Sequence, residues 1–148
     1  MKNQKILIYA IVLLIIQSCN SRSPEDDAKY VFEVGSNVEK KIETFIDDIK
    51  KEDETLETFQ KIESFVDNTR SEYLKYKEII NYYDEAEMEK QNEFMKYLNE
   101  DFNEAIGKDA KWKDIKSTID KFEEEVIDLQ DELDDARKYF IKKGIIVE

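Results

Sequence analysis

Histidine is absent from this chain of 148 residues, and cysteine occurs once. Without histidine, the chain lacks the commonest metal ligand and the side chain that titrates near neutral pH. A single cysteine cannot form a disulfide within the chain, and it has no histidine to act as its base. These absences argue against metal-dependent, disulfide-stabilised and cysteine-dependent catalytic proteins.

Glycine and proline are scarce as well, with three and one in the whole chain. Few helix breakers, together with many Glu, Lys, Leu and Ile residues, predict an all-α protein. Disorder is the competing interpretation, because 40% of the residues are charged. An aromatic content of 11% and a regular apolar spacing favour a folded body. The length corresponds to one domain with a substantial core.

The charge of the chain is strongly negative, at −13. The only two basic residues before Cys19 are Lys2 and Lys5, so the body has 21 basic and 36 acidic side chains and a charge of −15. Such a body repels nucleic acid and anionic lipid head groups, and it attracts basic partners. We therefore predict no nucleic acid among its partners. The alternative is that the charge serves only solubility.

Runs of acidic residues are the remaining candidates for chemistry, for example Glu123 to Glu125. Di-iron bundles need Glu-x-x-His pairs, and no segment follows the alternating pattern of a calcium loop. Motifs for a serine nucleophile or a phosphate-binding loop are missing too. We predict that the acidic runs are solvated helix faces, and that the protein is not an enzyme and has no catalytic residue, metal site or cofactor.

An uninterrupted apolar segment covers residues 6 to 16, after Lys2 and Lys5. As a helix it would be about 16 Å long, whereas the hydrocarbon core of a bilayer is about 30 Å thick. The segment is therefore typical of a signal peptide rather than of a membrane-spanning anchor. Ser18 is a suitable small residue before a cleavage point, and the next residue is Cys19.

The sequence Ile16-Gln17-Ser18-Cys19 resembles the lipobox of bacterial lipoproteins. Ile16 and Gln17 depart from the strict pattern, which favours Leu and a small residue. The resemblance implies cleavage between Ser18 and Cys19, diacylglycerol on the Cys19 thiol, and usually an N-acyl chain on the new amino terminus. It predicts a signal peptide over residues 1–18, a lipidated cysteine and tether over 19–23, and a helical domain over 24–148. An ordinary secretory leader with a chance cysteine is the alternative.

Start signals place the first helix close behind this tether. Ser23 can cap a helix, Pro24 suits its first position, and acidic residues follow. Gly35 lies on the apolar stripe of this helix, where it either allows close approach of a neighbour or breaks the helix. Residues 50–55 lack apolar seam residues and predict a turn. Asp84 and Asp109 are interpreted as caps of the two later helices, and Gly107 as the end of the third.

The last helix has the clearest pattern, because apolar residues follow a heptad spacing from Trp112 to Phe140. We predict a helix over 110–143 closed by Gly144, with the tail either folded back or disordered. The whole body is predicted to be an elongated up-and-down bundle of three or four antiparallel helices with coiled-coil-like packing. A dimeric coiled coil is the alternative, and a monomer is favoured.

Tyrosines cluster in residues 73–83, and tyrosine is common in binding hot spots. Tyr73, Tyr76 and Tyr83 lie on the apolar seam, which predicts a core position. Leu74 and Tyr82 lie off the seam, so they are the candidates for an exposed contact with a partner.

Lipobox, short tether and acidic helical body together resemble the small helical surface lipoproteins of Borrelia-type spirochaetes. This resemblance is one of type, since no further motif matches. It implies a lipid-anchored protein on the surface of the outer membrane that binds a host or envelope protein or acts as a surface antigen. A periplasm-facing assembly lipoprotein and a self-associating coiled-coil spacer are the alternatives.

Overall fold

The computed structural model describes residues 22–106 and 109–147, and this part of the chain folds into four α-helices. They are α1 (Pro24–Ile49), α2 (Leu56–Glu85), α3 (Met88–Ile106) and α4 (Trp112–Lys142). The predicted all-α bundle is confirmed, and no strand occurs in these residues. The predicted signal peptide, the lipidation site Cys19 and the cap at Gly107 lie outside the described residues.

Local signals explain where α1 and α2 begin. Ser23 is the N-cap of α1, and its hydroxyl accepts a hydrogen bond from the Asp26 N–H at 3.3 Å. Thr55 caps α2 in the same way, accepting from the Thr58 N–H at 3.2 Å. The turn predicted over residues 50–55 is therefore confirmed.

The end of α4 is a Schellman motif. Gly144 has a φ of +72°, which favours glycine, and the Ile145 N–H donates to the Phe140 carbonyl at 3.0 Å. Ile145 and Ile146 are half-buried against the neighbouring helices, so the tail folds back as far as Ile146. Val147 is exposed.

Two of the predicted caps are wrong. Asp84 stays within the last turn of α2, where its carboxylate accepts from Trp112 Nε1 at 2.8 Å and from Lys116 Nζ at 2.7 Å. The N-cap of α4 is Lys111 rather than Asp109, and Lys111 makes no side-chain cap. The Asp84 carboxylate therefore joins α2 to α4 and does not accept a hydrogen bond from a backbone N–H of the nearby described residues.

Side-chain contacts along α2 give the topology of the three long helices. Phe59 lies beside Phe140, and Tyr76 beside Phe122, so α2 and α4 run antiparallel. Asp27 lies beside Tyr83 and Phe45 beside Phe65, so α1 also runs opposite to α2. At 1.5 Å per residue, the 30 residues of α2 make a helix about 45 Å long.

The shorter helix α3 belongs to one end of the bundle, which we call the proximal end; there α1 begins, α2 ends and α4 begins. Phe94 of α3 is fully buried, stacked on Tyr83 at 4.2 Å and edge-on to Trp112. Among the residues whose side chains the structure describes, none of α3 belongs to the hydrophobic cluster at the opposite, distal end. Its buried residues are Ile42, Phe59, Val66, Leu129, Leu133 and Phe140.

Helix α1 continues through Gly35 without a break. A Cβ at this position would lie 3.1 Å from the hydroxyl oxygen of Tyr76, whose side chain is buried and hydrogen-bonded to Thr118. Of the two roles left open for Gly35, close approach of a neighbouring helix is the one that the structure shows.

The heptad seam of α4 is buried inside the chain's own two clusters. Its residues contact α2 through Tyr73, Tyr76 and Phe59. The seam residues with less than a tenth of their surface exposed are Ile115, Ile119, Phe122, Leu129, Leu133 and Phe140. In the described part of the chain, this stripe therefore packs mainly on the chain's own helices.

Candidate functional site

An apolar groove opens between α1 and α4 at the distal end. Ile62 and Val66 of α2 line it together with residues of both flanking helices, and its volume is about 340 Å³. Only Lys50 and Glu132 contribute charge to the lining. The remaining lining residues are Phe45, Ile46, Ile49, Leu129, Leu133 and Ala136. We call this feature the α1–α4 groove.

Beside this groove, four carboxylates lie close enough to Glu125 of α4 to repel its charge: Glu39 and Glu43 of α1, and Glu124 and Asp128 of α4. We call these five residues the acidic rim. None of the five forms an ion pair with any described residue. The acidic rim adjoins the groove because Ile46 of α1 and Leu129 of α4, which line the groove, lie one helical turn after Glu43 and Glu125.

Burial and this like-charge environment raise the pKa of Glu125 above its usual range. Two residues earlier the opposite occurs, since hydrogen bonds from Tyr73 and Lys77 lower the pKa of Glu123. The pKa values of these two glutamates on α4 therefore shift in opposite directions, because Glu123 interacts with α2 and Glu125 with α1.

Replacing Glu125 with Gln should stabilise the protein at pH 7 by about 0.3–0.5 kcal/mol, the size of a like-charge penalty on a helix surface. The raised pKa means that the folded state binds the proton more tightly, so ionisation destabilises the fold as pH rises through that pKa. The gain should therefore vanish below pH 4, where both folded and unfolded forms are protonated. Urea unfolding at pH 7 and at pH 3.5 measures both values.

Glu123→Gln is the matched control, because its pKa is lowered and its ionised form stabilises the fold at neutral pH. It should lose stability at pH 7 and match the parent protein below its own folded pKa. Equal effects of the two variants at pH 7 would contradict the assigned environments.

A larger groove lies on the other flank of α1, with a volume of about 550 Å³. Its lining is richer in charge, but Lys61 pairs there with Glu52 at 2.8 Å and with Glu57 at 3.6 Å. Phe45 and Phe65 stack face to face in this groove, with ring centroids 3.8 Å apart. Much of its charge is thus neutralised by contacts within the chain.

The two predicted contact residues are both exposed, Leu74 by 55% and Tyr82 by 38%. The structure does not bring them together. Leu74 lines a hollow between α2 and α4. Tyr82 instead packs against Arg22, whose guanidinium carbon lies 5.1 Å from the centroid of the Tyr82 ring. Ile127, exposed by 55%, shares the hollow with Leu74 and was missed, although it too stands off the heptad seam.

A polar cluster holds the start of the described chain against the proximal end of the bundle. Arg22 pairs with Glu78 at 2.5 Å and lies 3.7 Å from Asp27. The Tyr83 hydroxyl donates to Asp27 at 3.0 Å, and burial with this carboxylate raises the pKa of Tyr83. Arg22, which follows the predicted lipidation site Cys19 by three residues, is therefore held against α2.

Within the described ranges, no group of three or more acidic, histidine or cysteine side chains is arranged to hold a metal ion. No helix in the same part of the chain has the length and apolar character needed to cross a membrane. Comparison of the sequence with protein-family models and with curated proteins, and of the structure with solved structures, gave no match.

Proposed function

We propose that the protein is a lipid-anchored, non-catalytic lipoprotein of the bacterial cell envelope, held in the outer membrane by acyl chains on Cys19 and binding another protein through its helical bundle. The observation that carries the proposal is the leader: a basic start, eleven apolar residues and Ile16-Gln17-Ser18-Cys19 in order. The thiol of Cys19 would carry diacylglycerol, with a further acyl chain on the amino terminus after cleavage behind Ser18.

The energetics of such an anchor fit the acidic body. Each buried CH₂ of an acyl chain contributes about 0.8 kcal/mol, and two or three chains hold a protein lastingly where one chain does not. A body of charge −15 would contribute no attraction to anionic lipid, so the acyl chains would supply the whole of the membrane affinity.

The polar cluster around Arg22 supports a defined orientation. Only Asn20 and Ser21 separate Cys19 from Arg22, which is bound to the end of α2. With the lipid on Cys19, the proximal end would face the membrane and the α1–α4 groove would lie at the far end. Outward exposure of that end on intact cells is the arrangement that we propose, with a periplasm-facing assembly role as the alternative.

Metabolic labelling with palmitate tests the anchor. The parent protein should carry the label and have a mature amino terminus at Cys19 by mass spectrometry, whereas Cys19→Ala should carry none. An unlabelled parent protein, or a mature form that starts elsewhere, would refute the proposal. Protease treatment of intact cells then tests the orientation, because digestion of the body is expected only for a surface location.

A further inference from the structure

We propose that the α1–α4 groove is a docking site for an amphipathic helix of another protein, one whose apolar stripe is flanked by basic residues. This inference rests on the proposed function in taking a protein as the partner, and it names the surface and the chemistry of that partner. Three observations carry it: the groove is apolar, its acidic rim has no ion-pair partner among the described residues, and the described residues of α3 do not reach the distal cluster.

The first observation is the uneven thickness of the bundle. At the proximal end α3 packs on α1, and Phe94 and Leu98 are almost wholly buried. At the distal end, the described residues of the cluster come from α1, α2, α4 and the chain's tail, and Ile46 and Ile62 are half-buried there. A further helix at this end would bury the apolar surface that α3 is too short to cover.

The second observation is the shape and lining of the groove. Its volume of about 340 Å³ is at the lower end of the range of about 300–1,000 Å³ for ligand pockets, so it can hold a few apolar side chains. Helices dock in such grooves by residues at positions i, i+3, i+4 and i+7. The apolar residues of the lining that remain partly exposed to such side chains are Phe45, Ile46, Ile49, Ile62 and Ala136.

The third observation is the negative charge of the acidic rim, which favours a basic occupant of the groove over an acidic one. The acidic rim has five carboxylates with no basic partner among the described residues. A second copy of this chain would bring a body of charge −15 to the same surface, and an anionic lipid would be repelled too. A helix with lysine or arginine beside its apolar stripe would neutralise the rim as it covers the groove.

The larger groove on the other flank of α1 is a weaker candidate, because its lysine is already paired. Lys61 contacts Glu52 and Glu57, so a basic partner would have to displace it. The hollow at Leu74 lacks a comparable cluster of carboxylates, since Lys77 pairs with Glu123.

A designed peptide tests the site. The probe is a 21-residue fluorescein-labelled helix with leucine at i, i+3, i+4 and i+7 and lysine on both flanks; the comparison peptide has glutamate in place of lysine. Both core clusters are formed by residues 28–146, so a body beginning at residue 20 contains the whole core. Fluorescence anisotropy should show micromolar binding of the lysine peptide and no binding of the glutamate peptide.

Variants of the body distinguish docking in the groove from nonspecific electrostatic attraction of the peptide. Ala136→Trp fills the groove and should weaken binding of the lysine peptide at least tenfold. Glu43→Gln with Asp128→Asn should weaken it several-fold at low salt, with the difference fading at 0.5 M salt. The matched control is Glu89→Gln with Glu93→Gln on α3, which removes the same charge elsewhere and should change binding little. Circular dichroism verifies that each variant is folded.

Several results would overturn the inference. Equal weakening by the rim pair and the α3 pair would show that only net charge matters, and binding of the glutamate peptide would show that the rim does not select. Dimerisation of the body in sedimentation that Ala136→Trp abolishes would assign the groove to a second copy. Binding of a fluorescent fatty acid, abolished by the same variant, would assign it to an acyl chain. Absence of palmitate on Cys19 would refute the anchor but leave the peptide results unaffected.

Discussion

Replacing Phe122 with Ala is expected to lower the free energy of unfolding by about 3–5 kcal/mol, the usual cost of removing a buried phenylalanine ring. Phe122 is 2% exposed and lies edge-on to Tyr73 and Tyr76, with ring centroids 5.5 Å away in both cases. The ring therefore joins α4 to α2 near the middle of the bundle. Loss of its contacts leaves a cavity that two tyrosines, one of them hydrogen-bonded to Thr118, cannot close.

Urea unfolding followed by circular dichroism measures this loss. Domains of this size are stable by about 5–15 kcal/mol, so the variant should lose a large fraction of its stability, and its midpoint should fall by roughly 2 M urea. Ile127→Ala is the control on the same helix, because Ile127 is 55% exposed and its truncation should cost less than about 0.5 kcal/mol. Similar losses in the two variants would contradict the packing described for α4.

Phe94→Ala is expected to cause a comparable loss, but one confined to the proximal end. Phe94 is fully buried, and it holds α3 to the bundle through its stack on Tyr83 and its edge contact with Trp112. Its removal should make α3 open locally, since no described side chain of α3 belongs to the distal cluster. A cost of about 3 kcal/mol corresponds to a faster exchange of α3 amide hydrogens by at least a hundredfold.

Hydrogen exchange with mass spectrometry tests this division of the bundle. Peptides from α3 should exchange much faster in the variant, whereas peptides around Val66 and Leu133 should keep their protection. Met88→Ala is the matched control, because Met88 belongs to α3 but is 77% exposed. Uniformly faster exchange in all four helices would show that the two ends unfold as one unit.

The sequence predicted most of what depends on local chemistry. The cap at Ser23, the turn over residues 50–55, the helix end at Gly144 and the seam of α4 follow from residues within one or two turns of each other. The burial of apolar stripe residues at the first position of a helix was harder to predict. Leu56 and Met88 both belong to apolar stripes, yet they are 49% and 77% exposed because the neighbouring helices do not cover those first positions.

The assignment of Asp84 as a cap was wrong because of a contact that is distant in sequence. A capping signal indicates that a carboxylate could accept a backbone N–H, but a distant side chain can offer a better donor. Asp84 received two such donors from α4, and its pKa is lowered by Lys116 and by Trp112. Nothing within a few residues of Asp84 could indicate this partnership.

The sequence by itself determined the helical class and the acidic surface, and it predicts an anchor at Cys19, because composition and short-range spacing decide these. Only the tertiary structure decided that Phe94 and Leu98 of α3 pack at the proximal end and that Leu74 and Tyr82 face different flanks. It also decided that an apolar groove lies beside five carboxylates that have no ion-pair partner among the described residues. Those features arise where helices that are distant in sequence meet. The apolar spacing along one helix indicates which of its faces is buried, but it does not indicate how far the neighbouring helices extend.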